Sequence, residues 1–338
     1  MWNEAKLDRI LTSPSERLLE DITGIKGDIM ILGAGGKMGP TLSLLAKKAV
    51  YTAGGSQNII AVSRFTDPLA RKLLDNSGVV TISADLMKDG ALDSLPDAEN
   101  IIYMAGRKFG TTGQEPLTWA INVRLPVMVA ERFRHSRIVV FSSGNIYPMV
   151  PVHSEGATEQ LSPQPKGDYA MSCLGRERVF EYASLAYSTP VFIYRLNYAI
   201  DLRYGVLHDI ASAIMNNRPV SVSMPVFNCI WQGDANEIAI RSLLHTGSPA
   251  VKMNITGPET VSVRYSALEL SRLLNKEASF EGEEADNAYL SNASLAVKTF
   301  GYPSVSLQTM IQWQAEWILS GGRSLNKPTH FDERKGEY

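Results

Sequence analysis

The sequence predicts an α/β fold of the Rossmann type, a doubly wound parallel sheet followed by a smaller C-terminal lobe, and three observations predict it. Short, mostly apolar runs recur through residues 28–196: Ile29 to Leu32, Asn58 to Ser63, Val79 to Ser83, Asn100 to Met104, Arg137 to Ser142 and Val191 to Leu196. Helical patterns alternate with them, and runs that are apolar on both faces belong to a parallel sheet covered on both sides. The first run breaks into a glycine-rich turn, Gly33-Ala34-Gly35-Gly36-Lys37-Met38-Gly39, after which a helix opens by Pro40. Right-handed crossovers then wind such a sheet in both directions and put its ligand crevice at the carboxyl ends of the strands.

Taken in order, residues 1–27 read as a helical appendage packed on the main domain, with Ser13-Pro14-Ser15-Glu16 marking a helix start before Leu18 and Leu19. After the glycine turn, Leu42, Leu45, Ala46 and Ala49 share one helical face. Further helices are predicted around Thr66 to Asn76, from Leu117 to Phe133 and from Asp168 to Ala186. Beyond residue 196 the pattern loosens at Pro219, Pro225, Pro249 and Pro258. Residues 197–229 and 248–320 therefore read as a substrate lobe, with 230–247 returning to the main domain through a helix at Asp234 to His245. The polar segment 321–338 reads as a loose tail.

The bulk numbers narrow the function classes. A chain of 338 residues buries a large core, and a net charge of −2 leaves no electrostatic footprint for nucleic acid or an anionic membrane. Cys173 and Cys229 have neither metal-ligand spacing nor a disulfide framework, which fits a reducing compartment. The N-terminus mixes charges where a signal peptide has a positive start and an apolar run, and there is no 18-residue apolar stretch, so a cytoplasmic protein is expected.

A strand, a tight glycine turn and a helix aim free backbone N–H groups and the positive end of the helix dipole at one point above the sheet, where a dinucleotide diphosphate fits. Gly33 makes the turn, Gly36 admits the phosphates past a missing Cβ, Gly39 lets helix and strand pack closely, and Lys37 and Met38 line the loop. The second strand ends in Ser63-Arg64, with a guanidinium where NAD-binding sites carry a carboxylate for the ribose hydroxyl. NADP is therefore expected, with NAD possible; the alternative is that Arg64 is only a solvated strand-end charge.

Several motifs carry a family resemblance over roughly residues 27–320. The G-x-x-G-x-x-G turn, Asp85-Leu86, Ala105-Gly106, Asn122, the run Val139 to Tyr147, Gly167-Asp168-Tyr169-Ala170-Met171-Ser172, Arg195-Leu196-Asn197, Trp231 to Asp234 and Met253 to Gly257 resemble landmarks of the extended short-chain dehydrogenase/reductases. That family includes the NAD-dependent epimerase/dehydratases of nucleotide sugars. The resemblance implies Ser143 and Tyr169 as the catalytic pair, with Tyr169 also beside the cofactor. It implies cofactor contacts at Asp85, Leu86, Ala105 and Gly106, and substrate contacts at Lys108, Asn145 and Asn197. It also suggests a homodimer built on the helices near 117–133 and 168–186.

One position departs from the family. The lysine of its Tyr-x-x-x-Lys is Cys173 here. Without a fixed cation, a phenol of pKa near 10 is ionised only about one part in a thousand at neutral pH. Lys108 ranks first as a stand-in, ahead of Arg107, Lys166 and Arg176, the last two helical turns from Tyr169. The sequence thus points to an NAD(P)-dependent epimerase/dehydratase or oxidoreductase acting on a sugar-like or nucleotide-sugar alcohol. The alternative is a catalytically weakened dinucleotide-binding sensor or scaffold.

Overall fold

The computed structural model describes residues 2–111 and 113–337. Two short helices open the chain, α1 (Glu4–Leu11) and α2 (Glu16–Gly24), the second capped by the Ser15 hydroxyl accepting from the Leu18 N–H at 3.1 Å. Seven parallel strands follow: β1 (Ile29–Leu32), β2 (Ile59–Ser63), β3 (Val80–Ser83), β4 (Asn100–Tyr103), β5 (Arg137–Ser143), β6 (Val191–Leu196) and β7 (Val251–Ile255). Their spatial order is β3-β2-β1-β4-β5-β6-β7, so the winding direction reverses between β1 and β4 and a crevice opens there.

The pleat divides β1 between two cores. Ile29 and Ile31 face the layer that holds α2, α3 (Gly39–Thr52) and the later helix Gln232–Arg241, while Met30 and Leu32 face the layer that holds Leu125, Val129 and Phe180. Both faces of β1 are buried in apolar layers, which is why the strand is apolar at every position. α4 (Pro68–Asn76) covers β3 on the outer edge.

The expected helix from Leu117 to Phe133 is continuous but not uniform. It comprises α5 (Glu115–Trp119), a π-helical turn at Ala120–Arg124, and α6 (Leu125–Arg132). The inserted π turn carries Asn122, and such turns mark functional sites. Helix α7 (Gly167–Tyr187) lies beside it and closes on Ser188 in the left-handed region, φ 58°.

The lobe has its own core, made by α8 (Val206–Met215), α10 (Val263–Leu274) and α12 (Leu307–Leu319). Helix α9 (Gln232–Arg241) instead packs on α3, and α11 (Ser294–Phe300) on β7. Three sequence expectations need correction. Val251–Ile255, placed in the lobe segment 248–320, is the seventh strand of the main sheet; Lys252 and Asn254 disguise it, because at the sheet edge Lys252 pairs with Glu181 of α7 and Asn254 is buried by hydrogen bonds. The 1–27 appendage does not sit on the main domain alone: Leu18 and Ile22 join the sheet core, whereas Leu7 and Leu11 join the lobe core.

The third correction is the tail, which is not loose. The Leu325 N–H bonds to Arg203 O at 3.0 Å, and Thr329 donates twice to Asp209 Oδ2 at 2.7 and 2.6 Å. Lys166 Nζ donates to Arg334 O at 3.1 Å, and the Arg334 guanidinium reaches Ser223 O, Asn287 O and the Asn287 side chain. The segment is held mainly by hydrogen bonds, with Phe331 buried in the lobe core. It runs from the lobe at Arg203 and Asp209, past the glycine loop, to the start of α7.

Candidate active site at the strand ends

The glycine turn is shaped by what surrounds each residue. Gly33 has φ 94°, and a Cβ on it would lie 2.6 Å from Ala105 N, so the ends of β1 and β4 touch there. A Cβ on Gly39 would lie 2.2 Å from Ala34 O, so the helix is packed directly on its own loop. Gly36 is different: a Cβ there would have no neighbour nearer than Gly33 O at 3.5 Å, which leaves an open approach for a ligand. Met38 gives α3 no side-chain cap, so the first N–H groups of the helix remain available to an anion.

Two lysines share the Phe109 ring near this loop. Lys37 Nζ donates to Lys327 O at 3.2 Å and lies 4.8 Å from the Phe109 ring centre and 4.7 Å from that of Tyr204. Burial pushes its amine down to about 8, with Asp209 opposing and Lys327 adding to the shift. Lys108 Nζ lies 5.5 Å from the ring centres of Phe109 and Tyr169 and 5.8 Å from that of Tyr198. Burial likewise pushes this amine to about 8, and the charge on Lys37 pushes it the same way. Two cations held near each other in apolar surroundings make a place that favours a polyanion.

At the far end of the crevice, Ser63 is half-buried against Gly35, whose added Cβ would meet the serine Oγ at 2.5 Å. Arg64 is exposed beside it. Asp85 Oδ1 accepts from the Met87 N–H at 3.1 Å, which fixes the turn after β3, and Leu86 is buried in the core.

At the near end, Asn122 ties three elements together. Its Oδ1 accepts from the Arg107 N–H at 2.8 Å and from Arg176 Nη2 at 2.8 Å, while its Nδ2 donates to Arg107 O and Ser172 Oγ, both at 2.9 Å. The loop Ala105-Gly106-Arg107 is thereby locked to α7. A Cβ on Gly106 would lie 2.6 Å from Arg176 Nη2, so the glycine is needed to accommodate the guanidinium beneath it.

The proposed reacting groups face this loop. Ser143 is the last residue of β5; its hydroxyl donates to Asn145 Oδ1 at 2.9 Å and accepts from the Asn145 N–H at 3.1 Å. Asn145 is therefore a partner of Ser143. Tyr169, in the first turn of α7, is hydrogen-bonded to Ser143 and to Cys173. Burial pushes its phenol well above the ordinary value and the nearby thiol adds to this, whereas the Ser143 hydrogen bond and the Arg176 charge pull it down. Cys173 is also pushed up by burial, against the Arg176 charge. Asn197 lies alongside, its Cγ 3.3 Å from where a Cβ on Gly144 would be, and its buried Nδ2 has no hydrogen-bond partner among the described residues. A spare amide donor beside Ser143 suits an oxygen-rich ligand.

A buried framework, which sequence reasoning passed over, holds this constellation. Arg195 and Glu177 form an ion pair with side chains 2% and 0% exposed, Nη2 to Oε2 2.7 Å. Glu177 Oε1 also accepts from Ser142 Oγ at 2.6 Å, and Arg195 Nη1 donates to the Tyr147 hydroxyl at 2.6 Å, which donates to Asn254 Oδ1 at 2.9 Å. β5, β6, β7 and α7 are thus fixed to one another directly beneath Ser143 and Tyr169. Arg195 and Asn254 lay within the motifs quoted above, but only the fold showed them paired.

The NAD dependent epimerase/dehydratase family model matches residues 29–200. The chain belongs to this family. Its fold is shared by solved family structures at low identity. The UDP-glucuronic acid 4-epimerase of Bacillus cereus, in complex with NAD, is 17% identical with a TM-score of 0.71, covering 87% of this chain and 99% of that one. The UDP-glucose 4-epimerase of Thermus thermophilus, also with NAD, is 18% identical with a TM-score of 0.70, covering 86% and 98%. The Bordetella bronchiseptica enzyme WbmG with NAD is 19% identical with a TM-score of 0.72, covering 90% and 98%. No curated protein matches the sequence. The family's dinucleotide fits the residues present here, since the open side of Gly36, the uncapped start of α3 and Lys37 all suit a diphosphate. No helix among the described residues is long and apolar enough to cross a membrane, and no group of His, Cys, Asp and Glu among them could hold a metal ion.

Proposed function

We propose that this family member is an NAD(P)-dependent epimerase/dehydratase or oxidoreductase that acts on an alcohol carbon of a nucleotide sugar. The observation that carries the reading is the hydrogen-bonded pair Tyr169 and Ser143 at the end of β5, facing the Gly106 loop on the glycine-loop side of the sheet. Tyr169 exchanges the proton of the substrate hydroxyl, Ser143 holds the substrate oxygen, and Asn197 offers its spare amide donor. Gly33, Gly36, Lys37, Met38 and Gly39 hold the diphosphate of the dinucleotide, Asp85 and Leu86 its adenine, and Ala105 and Gly106 its nicotinamide side. When bound, the dinucleotide supplies the acceptor and donor of the hydride. The solved epimerases that share the fold have UDP sugars in their names, and Lys108 gives this chain a cation for a sugar-nucleotide diphosphate.

Arg64, exposed at the end of β2 with no ion pair among the described residues, supports NADP as the preferred form, although the solved relatives hold NAD; direct titration of both forms measures the preference. The homodimer reading is supported by exposed apolar residues on α5 to α7, Leu117, Val127, Tyr182 and Leu185, of which Val127 and Tyr182 line a cavity of about 280 Å³. Both cysteines are free and buried, which is consistent with the cytoplasm. The test of the main reading is turnover of a panel of nucleotide sugars by wild type and Tyr169→Phe. A substrate that turns over equally fast in both would refute the role of Tyr169.

Cys173 favours a second reading, a protein that binds dinucleotide without turning it over. Cys173→Lys separates the two, because activity that rises sharply marks a latent enzyme and tight binding with no hydride transfer marks a sensor.

A further inference from the structure

The cation that the family places four residues after its tyrosine is absent at Cys173, yet α7 carries another one three residues further on. Residues 173 and 176 share a helix face, and side chains on a helix lean toward its N-terminus. A long side chain at 176 therefore reaches back over a small residue at 173 toward 169. Counting turns places Arg176 too far from Tyr169, whereas the lean of the side chain brings its charge back.

The structure fixes that charge firmly. Arg176 is 5% exposed; Nη1 donates to Phe141 O at 2.8 Å and Nη2 to Asn122 Oδ1 at 2.8 Å. Its Nε has no hydrogen-bond partner among the described residues, and Gly106 leaves room for the guanidinium. It forms no ion pair among the described residues, because the neighbouring Glu177 is fully engaged by Arg195 and Ser142. The positive charge thus sits buried beneath the Gly106 loop without a carboxylate to cancel it.

We propose that Arg176 is the positioning residue that replaces the missing lysine, stabilising the ionised form of Tyr169 from one helical turn further along α7 while Cys173 provides the space. This rests on the reading of Tyr169 as the proton-exchanging group. Of the groups around the phenol, Ser143 and Arg176 favour its ionised form and Cys173 opposes it. Lys108, from the loop after β4, lies with its amine 5.5 Å from the centre of the tyrosine ring. A guanidinium also keeps its charge at every working pH, whereas the Lys108 amine is pushed to about 8. Tyr103, with its ring centre 5.8 Å from the Arg176 guanidinium, is itself pushed up by burial and stays neutral.

The test places 3,5-difluorotyrosine at position 169 and follows its ionisation by ¹⁹F NMR in the NAD-saturated protein, which requires no turnover. Arg176→Met is expected to raise the titration midpoint by about one unit or more, a tenfold loss of phenolate at fixed pH, and to lower kcat in parallel on its pH-dependent limb. Lys108→Met is expected to move the midpoint by less than half as much. Should Arg176→Met fold poorly, the double variant Cys173→Lys/Arg176→Met is expected to return the midpoint to the wild-type value or below, and Arg176→Lys to give an intermediate one. An unmoved midpoint in folded Arg176→Met, a larger shift in Lys108→Met, or no recovery in the double variant would each overturn the proposal. Absence of turnover on every nucleotide sugar, with the midpoint shifting as expected, would instead remove the substrate reading and leave this one standing.

Discussion

Binding of NAD at pH 8 should draw about half a proton per protein out of solution. Burial holds Lys37 at about 8, so its amine is close to half protonated at that pH. The NAD diphosphate is already fully ionised, so it contributes no titration of its own. Phosphate oxygens facing the amine return it toward the ordinary value of about 10.4, and it gains about half a proton. The sign follows from linkage: the bound pKa exceeds the free one, so affinity is greatest below pH 8 and weakens as pH rises through 8, by up to about tenfold per unit. Calorimetric titration in buffers of different ionisation enthalpy gives the uptake as a slope. That slope should shrink toward zero at pH 6.5, where the amine already carries its proton. Lys37→Met should remove the uptake at pH 8, whereas Lys108→Met, beside Tyr169, should leave most of it. A slope of zero at pH 8 in the wild type, or one unchanged in Lys37→Met, would refute the argument that Lys37 faces the dinucleotide diphosphate.

Three further outcomes follow from the geometry. Gly36→Ala should leave urea stability near wild type and abolish tight dinucleotide binding, because its methyl enters open space at the phosphates, whereas Gly39→Ala, with its Cβ 2.2 Å from Ala34 O, should cost about 1–3 kcal/mol of stability. Glu177→Gln leaves Arg195 buried without its counter-charge and should lower urea stability by about 3–5 kcal/mol; a loss below 1 kcal/mol would show that the Tyr147 and Ser142 contacts suffice. Ending the chain after Gly322 removes the contacts to Lys37, Asp209 and Lys166, and stopped-flow fluorescence should then show dinucleotide entering and leaving faster, equal rates counting against a covering role for the tail.

Six of the seven strands and the glycine loop were legible because their signals are local. Ile29 to Leu32 must be apolar throughout to pack on two layers, and Gly33 and Gly39 must lack a Cβ to make the turn. Ser143 and Tyr169 were legible as motif positions that the fold brings together. β7 was hidden because this edge strand carries Lys252 and buries Asn254 through hydrogen bonds, which breaks the apolar run. The tail was hidden because polar anchors and a lone buried Phe331 leave no hydrophobic periodicity; Thr329 and Arg334 look like solvated residues until Asp209 and Asn287 are set beside them. The burial of Arg176 under the Gly106 loop was not legible, because its partners Phe141 and Asn122 come from distant parts of the chain.

The last stretch of the chain joins two margins of the crevice, at Asp209 and at Lys166. A movement of the lobe at Asp209 is therefore felt, through this strap, at the N-terminus of α7, the turn that carries Tyr169.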